Sequence, residues 1–353
     1  MGGGEGKARR WFASDNNASA HPEMIAAIAD ANAGHAIGYG DDRWTKAASE
    51  RFKAEFGSRA ETFFVFNGTG ANVFSAALAT RPFEAAFCPE SAHLNVDETG
   101  APERIVGVKV VPVRSDDGKL SIHALEARLK PFGEIHHNRP KLVSISQPTE
   151  LGTLYSIEEL RQLCRFAHER GLVVHVDGAR ISNAAVALGA SFGDMIASTG
   201  VDLLSFGGTK NGLVFGEAVV VLNPELLDGA AFVRKNVGQL ASKMRFIAAQ
   251  YERYLATGLW ERNAKAANDS ARELGGVIGA IDGVELAQRV ETNAVFAMAS
   301  PEAAEEVRSE QFFYTWDEER HVYRWMTSWD TERSDIEHFG ELLSRAAARH
   351  PRP

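Results

Sequence analysis

SFGGTKNG, residues 205–212, sets one lysine directly behind a glycine pair. The run before it, VDLLSF (201–206), reads as a buried strand, and the glycines turn the chain sharply after it. Lys210 therefore stands at the carboxyl end of a core strand, where open α/β sheets gather their ligands. Taken by itself, GGTK also describes a surface turn whose lysine faces solvent, because Gly-Gly commonly marks loops. The other strand ends decide between the two.

Working outward, residues 21–230 alternate apolar runs with amphipathic segments. HPEMIAAIADAN (21–32) reads as a helix with Pro22 in its first turn. WTKAASERFKAEF (44–56) is a second helix, stopped by Gly57. TFFVF (62–66), AAFCP (85–89), RIVGVKVVPV (104–113), KLVSISQ (141–147), LVVHVD (172–177) and EAVVVL (217–222) are strand-like. NGTGAN (67–72) opens a helix after the first of these strands. LSIHALEARL (120–129) is a helix capped by Ser121, and SIEELRQLCRFAHERG (156–171) carries the Ser156/Glu159 capping box. The near-continuous apolar character of LVVHVD is that of a strand covered on both faces. Strands alternating with helices predict a mostly parallel central sheet covered by helices. A long helical stretch is expected over 232–275, followed by NAVFAM (293–298), QFFYTW (311–316) and VYRWMTSW (322–329), which alternate like antiparallel strands. The expected organisation is an N-terminal arm (1–20), a large domain (21–255) and a smaller C-terminal α+β domain (256–353).

The 353 residues carry a net charge of −9, which argues against nucleic acid or anionic membrane as the main partner. Two cysteines, Cys88 and Cys164, form neither a disulfide framework nor a CxxC metal pattern, and a reducing cytoplasm is the expected setting. The start, MGGGEGKARRWF, lacks the apolar run of a signal peptide, and Gly6 breaks the myristoylation pattern.

Two further strand ends carry chemistry. NGTGAN, between a strand and a helix, offers free backbone N–H groups at a positive helix end. Gly68, Thr69 and Gly70 are candidates for binding phosphate, with a plain tight turn as the alternative. The motif lacks both the P-loop ending and the dinucleotide fingerprint. HVDGAR (175–180) ends a buried strand in Asp177, whose carboxylate needs a cation or donor. It either caps the next helix and pairs with Arg180, or serves a ligand. A phosphate cradle, a strand-end Asp and a strand-end Lys on one sheet edge together describe a pyridoxal 5′-phosphate site. There the Lys can form the covalent link, and the Asp can keep the ring nitrogen protonated.

With these motifs the chain resembles the pyridoxal-phosphate β-eliminating lyase/threonine aldolase family, of the aspartate-aminotransferase-like fold type I. The stretches that carry the likeness are FASDN (12–16), YGDD (39–42), FNGTGAN (66–72), HLNVDETG (93–100), QPTELGTLY (147–155), HVDGAR (175–180), SFGGTKNG (205–212) and SKMRF (242–246). The resemblance implies a lyase that cleaves L-threonine, L-allo-threonine and other β-hydroxy-α-amino acids to glycine and an aldehyde. A related β-eliminating lyase, transaldolase, racemase or catalytically silent scaffold is the alternative. It implies that Lys210 holds the cofactor, that Asp177 meets the pyridine nitrogen, and that Gly68 and Thr69 bind the phosphate. His93 is implied to stack on the ring and act as base at the substrate hydroxyl, oriented by Glu98 or Asp97. Arg180, Arg324 and Ser14 are implied to hold the substrate carboxylate. Lys243 or Arg245 would reach a neighbouring subunit's phosphate in a homo-oligomer, a dimer of dimers; a solvated helix face is the alternative for them. The chain departs from the family pattern in SerAspAsn (14–16), at Gly70, and in Thr149 and Glu150, where some aldolases carry a histidine.

Overall fold

The computed structural model describes residues 10–352; the glycine-rich stretch before Arg10, read above as part of an arm, lies outside the described residues. Two compact units divide at Ser19/Ala20 and at Glu261/Arg262, against the expected 20/21 and 255/256. The large unit runs from Ala20 to Glu261. The small one joins the described residues up to Ser19 with those from Arg262 onward.

The large unit begins with α1 (Pro22–Ala31), α2 (Arg43–Phe56), β1 (Glu61–Val65), α3 (Gly68–Ala79), β2 (Glu84–Pro89) and α4 (His93–Val96). It continues through β3 (Lys109–Val113), α5 (Ile122–Leu129), β4 (Arg139–Ser146), α6 (Ile157–His168), β5 (Val173–Gly178), α7 (Ile181–Leu188) and α8 (Phe192–Met195). β6 (Leu203–Phe206), β7 (Glu217–Val221), α9 (Ala230–Asn236) and α10 (Arg245–Ala256) complete it, and the division between the units falls within α11 (Leu259–Gly279). The seven-stranded sheet has the order β1-β7-β6-β5-β4-β2-β3. β2 to β6 run parallel, and β7 opposes both its neighbours, β6 and β1. The carboxyl ends of β1, β2, β4, β5 and β6 therefore share one edge with the amino end of β7. That edge collects Asn67, His93, Asp177, Lys210 and Glu217.

Local chemistry sets the element ends. Asn67 caps α3 by accepting from Gly70 N at 2.7 Å, Ser121 caps α5, and Ser156 with Glu159 closes the capping box of α6. Two expectations are corrected. Residues 104–113 are not one strand: a wide helical turn, Pro102–Val106, ends at Gly107 (φ 79°), and β3 begins only at Lys109. The apolar run could not reveal this, because a short apolar segment has no period of its own. The helical stretch over 232–275 is three helices. Gly238 (φ 77°) and Gly258 (φ 64°) stand in the breaks, in the left-handed conformation that ends helices.

Under the sheet, Phe52 packs its ring against Phe206 (5.2 Å between centroids), Tyr251 (5.5 Å) and Phe64 (5.9 Å). Phe206 immediately precedes the glycine pair, so this aromatic cluster supports the lysine turn from below. The small unit has a four-stranded antiparallel sheet of β8 (Glu285–Leu286), β9 (Ala294–Met298), β10 (Tyr314–Asp317) and β11 (Val322–Met326), in the order β10-β11-β9-β8. α12 (Pro301–Glu310) and α13 (Arg333–Arg349) accompany it. Phe12 is buried in its core against Phe339, and Arg10 pairs with Asp330, Glu332 and Asp335. No helix among the described residues is long and apolar enough to cross a membrane.

Replacing Phe52 by Ala removes the hub of the aromatic cluster. The expected loss is about 3–5 kcal/mol of unfolding free energy, read from urea denaturation. A loss below about 1 kcal/mol would mean that the cluster collapses around the gap.

Candidate active site

The lysine turn depends on crowding. A Cβ on Gly207 would lie 2.4 Å from the Ala179 carbonyl oxygen. One on Gly208 would meet the Leu213 side chain at 2.6 Å and the Tyr251 hydroxyl at 2.9 Å. Gly208 itself has an ordinary negative φ of −125°. The pair is glycine because β6 must pass this close to the start of α7 and to α10, and Lys210 follows, half-buried, in a single helical turn (Thr209–Asn211).

Asp177 ends β5 beside it and is nearly out of water. Its Oδ1 accepts from Ala179 N at 3.0 Å and its Oδ2 from Asn72 Nδ2 at 2.8 Å. Burial pushes the carboxyl up, but the Asn72 hydrogen bond and the charges of His93, His175 and Lys210 outweigh it and hold Asp177 below the ordinary carboxylate range. The His175 contribution exists only in acid. That ring lies between the hydroxyls of Ser144 (2.9 Å) and Ser205 (2.8 Å), and burial lowers it to about 4, so it is neutral near pH 7.

Asn72 is the hinge of the cluster. Its amide nitrogen donates both to Asp177 and, at 2.8 Å, to Glu98 Oε1, which also meets His93 Nδ1 at 2.8 Å. Glu98, and not the exposed Asp97, is the partner of His93. A carboxylate only accepts, so Nδ1 carries the hydrogen and the lone pair of the neutral ring sits on Nε2. The Glu98 hydrogen bond raises the His93 pKa, against the effect of burial, and the charges of Glu98, Asp177 and Glu150 add to the rise. Asn72 Oδ1 and Glu98 Oε2 are buried acceptors without a protein partner among the described residues.

The candidate phosphate cradle is the amino end of α3. Space is open where a Gly68 side chain would stand, and Thr69 is half-buried beside it. Gly70 has no such room, since its Cβ would fall 2.4 Å from the Gln239 side chain, whose Oε1 accepts from Phe66 N at 3.0 Å. Arg180 stands at the N-cap position of α7, three residues past Asp177, without a side-chain capping bond. One sheet edge thus brings together Lys210, Asp177, His93, Arg180 and residues 68–70. Lys243 and Arg245 line a separate cleft with Gly34–Gly38, where Arg245 donates to the Gly34 carbonyl at 3.3 Å. Ser14 and Arg324 belong to the small unit. Ser14 accepts from Asn16 N at 3.2 Å, and the Arg324 guanidinium lies 5.3 Å from the Trp316 ring. Sequence reasoning missed Asn72, Gln239 and Glu217. Only Asn72 left a signal, as an amide one helical turn beyond Gly68 in an apolar helix.

Residues 12–301 match the family model described as "Beta-eliminating lyase". The chain is 42% identical over 333 residues to a low specificity L-threonine aldolase of Pseudomonas aeruginosa, covering 94% of this chain and 95% of that protein. It is 40% identical over 327 residues to a low specificity L-threonine aldolase of Pseudomonas sp. (strain NCIMB 10558), covering 92% and 94%. The solved threonine aldolase of Leishmania major superposes with a TM-score of 0.89 at 30% identity, covering 95% of this chain and 98% of that one.

Replacing Glu98 by Gln removes the charge that holds the proton on His93. The His93 titration midpoint, followed by its ring proton NMR signals, is expected to fall by about one pH unit. An unchanged midpoint would show that Glu98 is not the cause of the shift.

Proposed function

The chain belongs to the β-eliminating lyase family, and from that premise we propose that it is a pyridoxal 5′-phosphate-dependent lyase. Its substrates are L-threonine, L-allo-threonine and other β-hydroxy-α-amino acids, which it cleaves reversibly to glycine and an aldehyde. The observation that carries the reading is the chain Asp177–Asn72–Glu98–His93, set beside Lys210 and the open amino end of α3.

The residues present fit the cofactor. Asp177 offers an ionised, desolvated carboxylate, Lys210 an amine on the same edge, Gly68 and Thr69 the first amides of α3 with open space at Gly68, and the cluster two buried acceptors still to be served. When bound, pyridoxal 5′-phosphate supplies an electron sink for a bond at the substrate Cα. Lys210 would hold it, and Asp177 would keep a proton on its ring nitrogen. Asn72 fixes the Asp177 carboxylate and, through Glu98, the His93 ring, so the counter-charge and the base are held as one unit. His93 Nε2 takes the proton of the substrate β-hydroxyl, and its raised pKa suits a base working near neutrality. Arg180 grips the substrate carboxylate as a planar fork, which sets the orientation of the Cα–Cβ bond. Arg324 and Ser14 are assigned to the same carboxylate on the resemblance alone.

A homo-oligomer, a dimer of dimers, belongs to the proposal, with Lys243 and Arg245 serving a neighbour's phosphate. So does a cytoplasmic setting, supported by the two buried free thiols Cys88 and Cys164.

The first test is acetaldehyde release from the purified protein with added cofactor, on L-threonine, L-allo-threonine and their D-forms. Equimolar acetaldehyde and glycine are expected from the L-forms and neither from Lys210→Ala. Cofactor absorbance without acetaldehyde would sink the aldolase reading and turn attention to elimination, racemisation and transaldol substrates. His93→Asn is expected to lower the cleavage rate about 10²–10⁴-fold while the cofactor absorbance persists. Unchanged cleavage would remove His93 as the base.

A further inference from the structure

A second buried carboxyl lies on the same sheet edge, and the mechanism above does not use it. Glu217 opens β7, paired with Val65 at the end of β1. It is 8% exposed. Its Oε2 accepts from Gly208 N at 2.7 Å, and the Thr209 hydroxyl donates to the Gly216 carbonyl at 3.4 Å. Both residues directly precede Lys210. Behind the carboxyl, Tyr251 Oη lies 3.4 Å from Glu217 Oε2, 3.0 Å from the Phe206 carbonyl and 3.2 Å from the Gly216 carbonyl.

These contacts do not balance if Glu217 is an anion. Three acceptors then surround a hydroxyl that owns one hydrogen. A proton on the carboxyl supplies the second hydrogen, donated to the Tyr251 oxygen, and leaves the tyrosine free to donate to Phe206, while the Gly216 carbonyl is served by the Thr209 hydroxyl. We propose that Glu217 is a proton-linked positioning residue for Lys210. As a neutral acid it clamps the glycine turn through Gly208, and as a carboxylate it holds the proton on the Lys210 nitrogen. This rests on the assignment of Lys210 as the residue that holds the cofactor.

The surroundings agree. The titratable groups facing Glu217 are Lys210 on the turn and Tyr251 and Tyr254 on α10. Burial raises both tyrosines above their ordinary range, so they stay neutral, and Lys210 supplies the cation. Burial pushes the Glu217 carboxyl up to about 7, against the hydrogen bond from Gly208 and the charge of Lys210. The sign follows. Below that pH the acid is neutral and leaves the lysine nitrogen to its other neighbours. As the pH rises through it, an anion appears at the base of the turn and favours the protonated nitrogen.

The test compares the wild type with Glu217→Gln and Glu217→Asp, each loaded with pyridoxal 5′-phosphate, titrated from mildly acidic to mildly alkaline pH. Gln keeps the shape and the acceptor for Gly208 but cannot ionise. The absorbance midpoint of the Lys210-bound cofactor is expected to fall by about one pH unit in Glu217→Gln, and Glu217→Asp recovers part of that shift. In carbon-13 spectra of the same samples, one carboxyl that titrates near neutrality in the wild type is expected to be missing from Glu217→Gln. Equal absorbance midpoints in wild type and Glu217→Gln, or no carboxyl signal lost near neutrality, would overturn the proposal and leave the lyase reading standing. A wild type that never acquires the absorbance overturns the cofactor assignment and this proposal with it.

Discussion

Asp177 has to remain an anion while almost out of water. A carboxylate in that position is tolerated only with donors on its oxygens and positive charge nearby. The requirement reaches through the large unit. It calls for the Ala179 amide and hence the sharp turn from β5 into α7. It calls for an amide side chain, Asn72, one turn into α3, so the helix must meet the end of β5. Because the Asn72 nitrogen has a second hydrogen, it recruits Glu98, and Glu98 fixes the tautomer of His93.

The lysine side of the edge answers to the opposite constraint. Asp177 is surrounded by donors and cations and is held below its ordinary range, whereas at Glu217 burial outweighs the Gly208 hydrogen bond and the Lys210 charge and pushes the carboxyl up to about 7. Two acidic groups on one sheet edge are thus separated in protonation by their surroundings, the arrangement by which active sites keep an acid and an anion side by side at one pH. The glycine pair ties the two halves together. Gly207 touches the turn after Asp177, and Gly208 donates to Glu217, so a displacement at either carboxyl is felt at Lys210.

Much of this was legible in the sequence where the signal was local. The caps at Ser121 and Ser156 stand one helical turn from the amides they serve. Lys210 and Asp177 ended readable apolar runs, so their place on a strand edge followed from the alternation of elements. Reading failed where a short apolar run had no period, as over 104–113, and where glycines in the left-handed conformation broke what seemed one helix over 232–275. It also failed for Gln239, which fills the space a larger residue at Gly70 would need from 173 residues beyond the backbone amide it accepts from.

The sequence by itself determined most of the strands and helices and the residues that end them, because propensity, capping and hydrophobic patterning act over a few residues. Only the tertiary structure decided which of those residues meet. Asn72 joins Glu98, 26 residues away, to Asp177, 105 residues away. The antiparallel course of β7 delivers Glu217 to the lysine turn. The protonation of both carboxyls was likewise decided there, since desolvation and neighbouring charge are properties of the folded surroundings that no side chain carries with it.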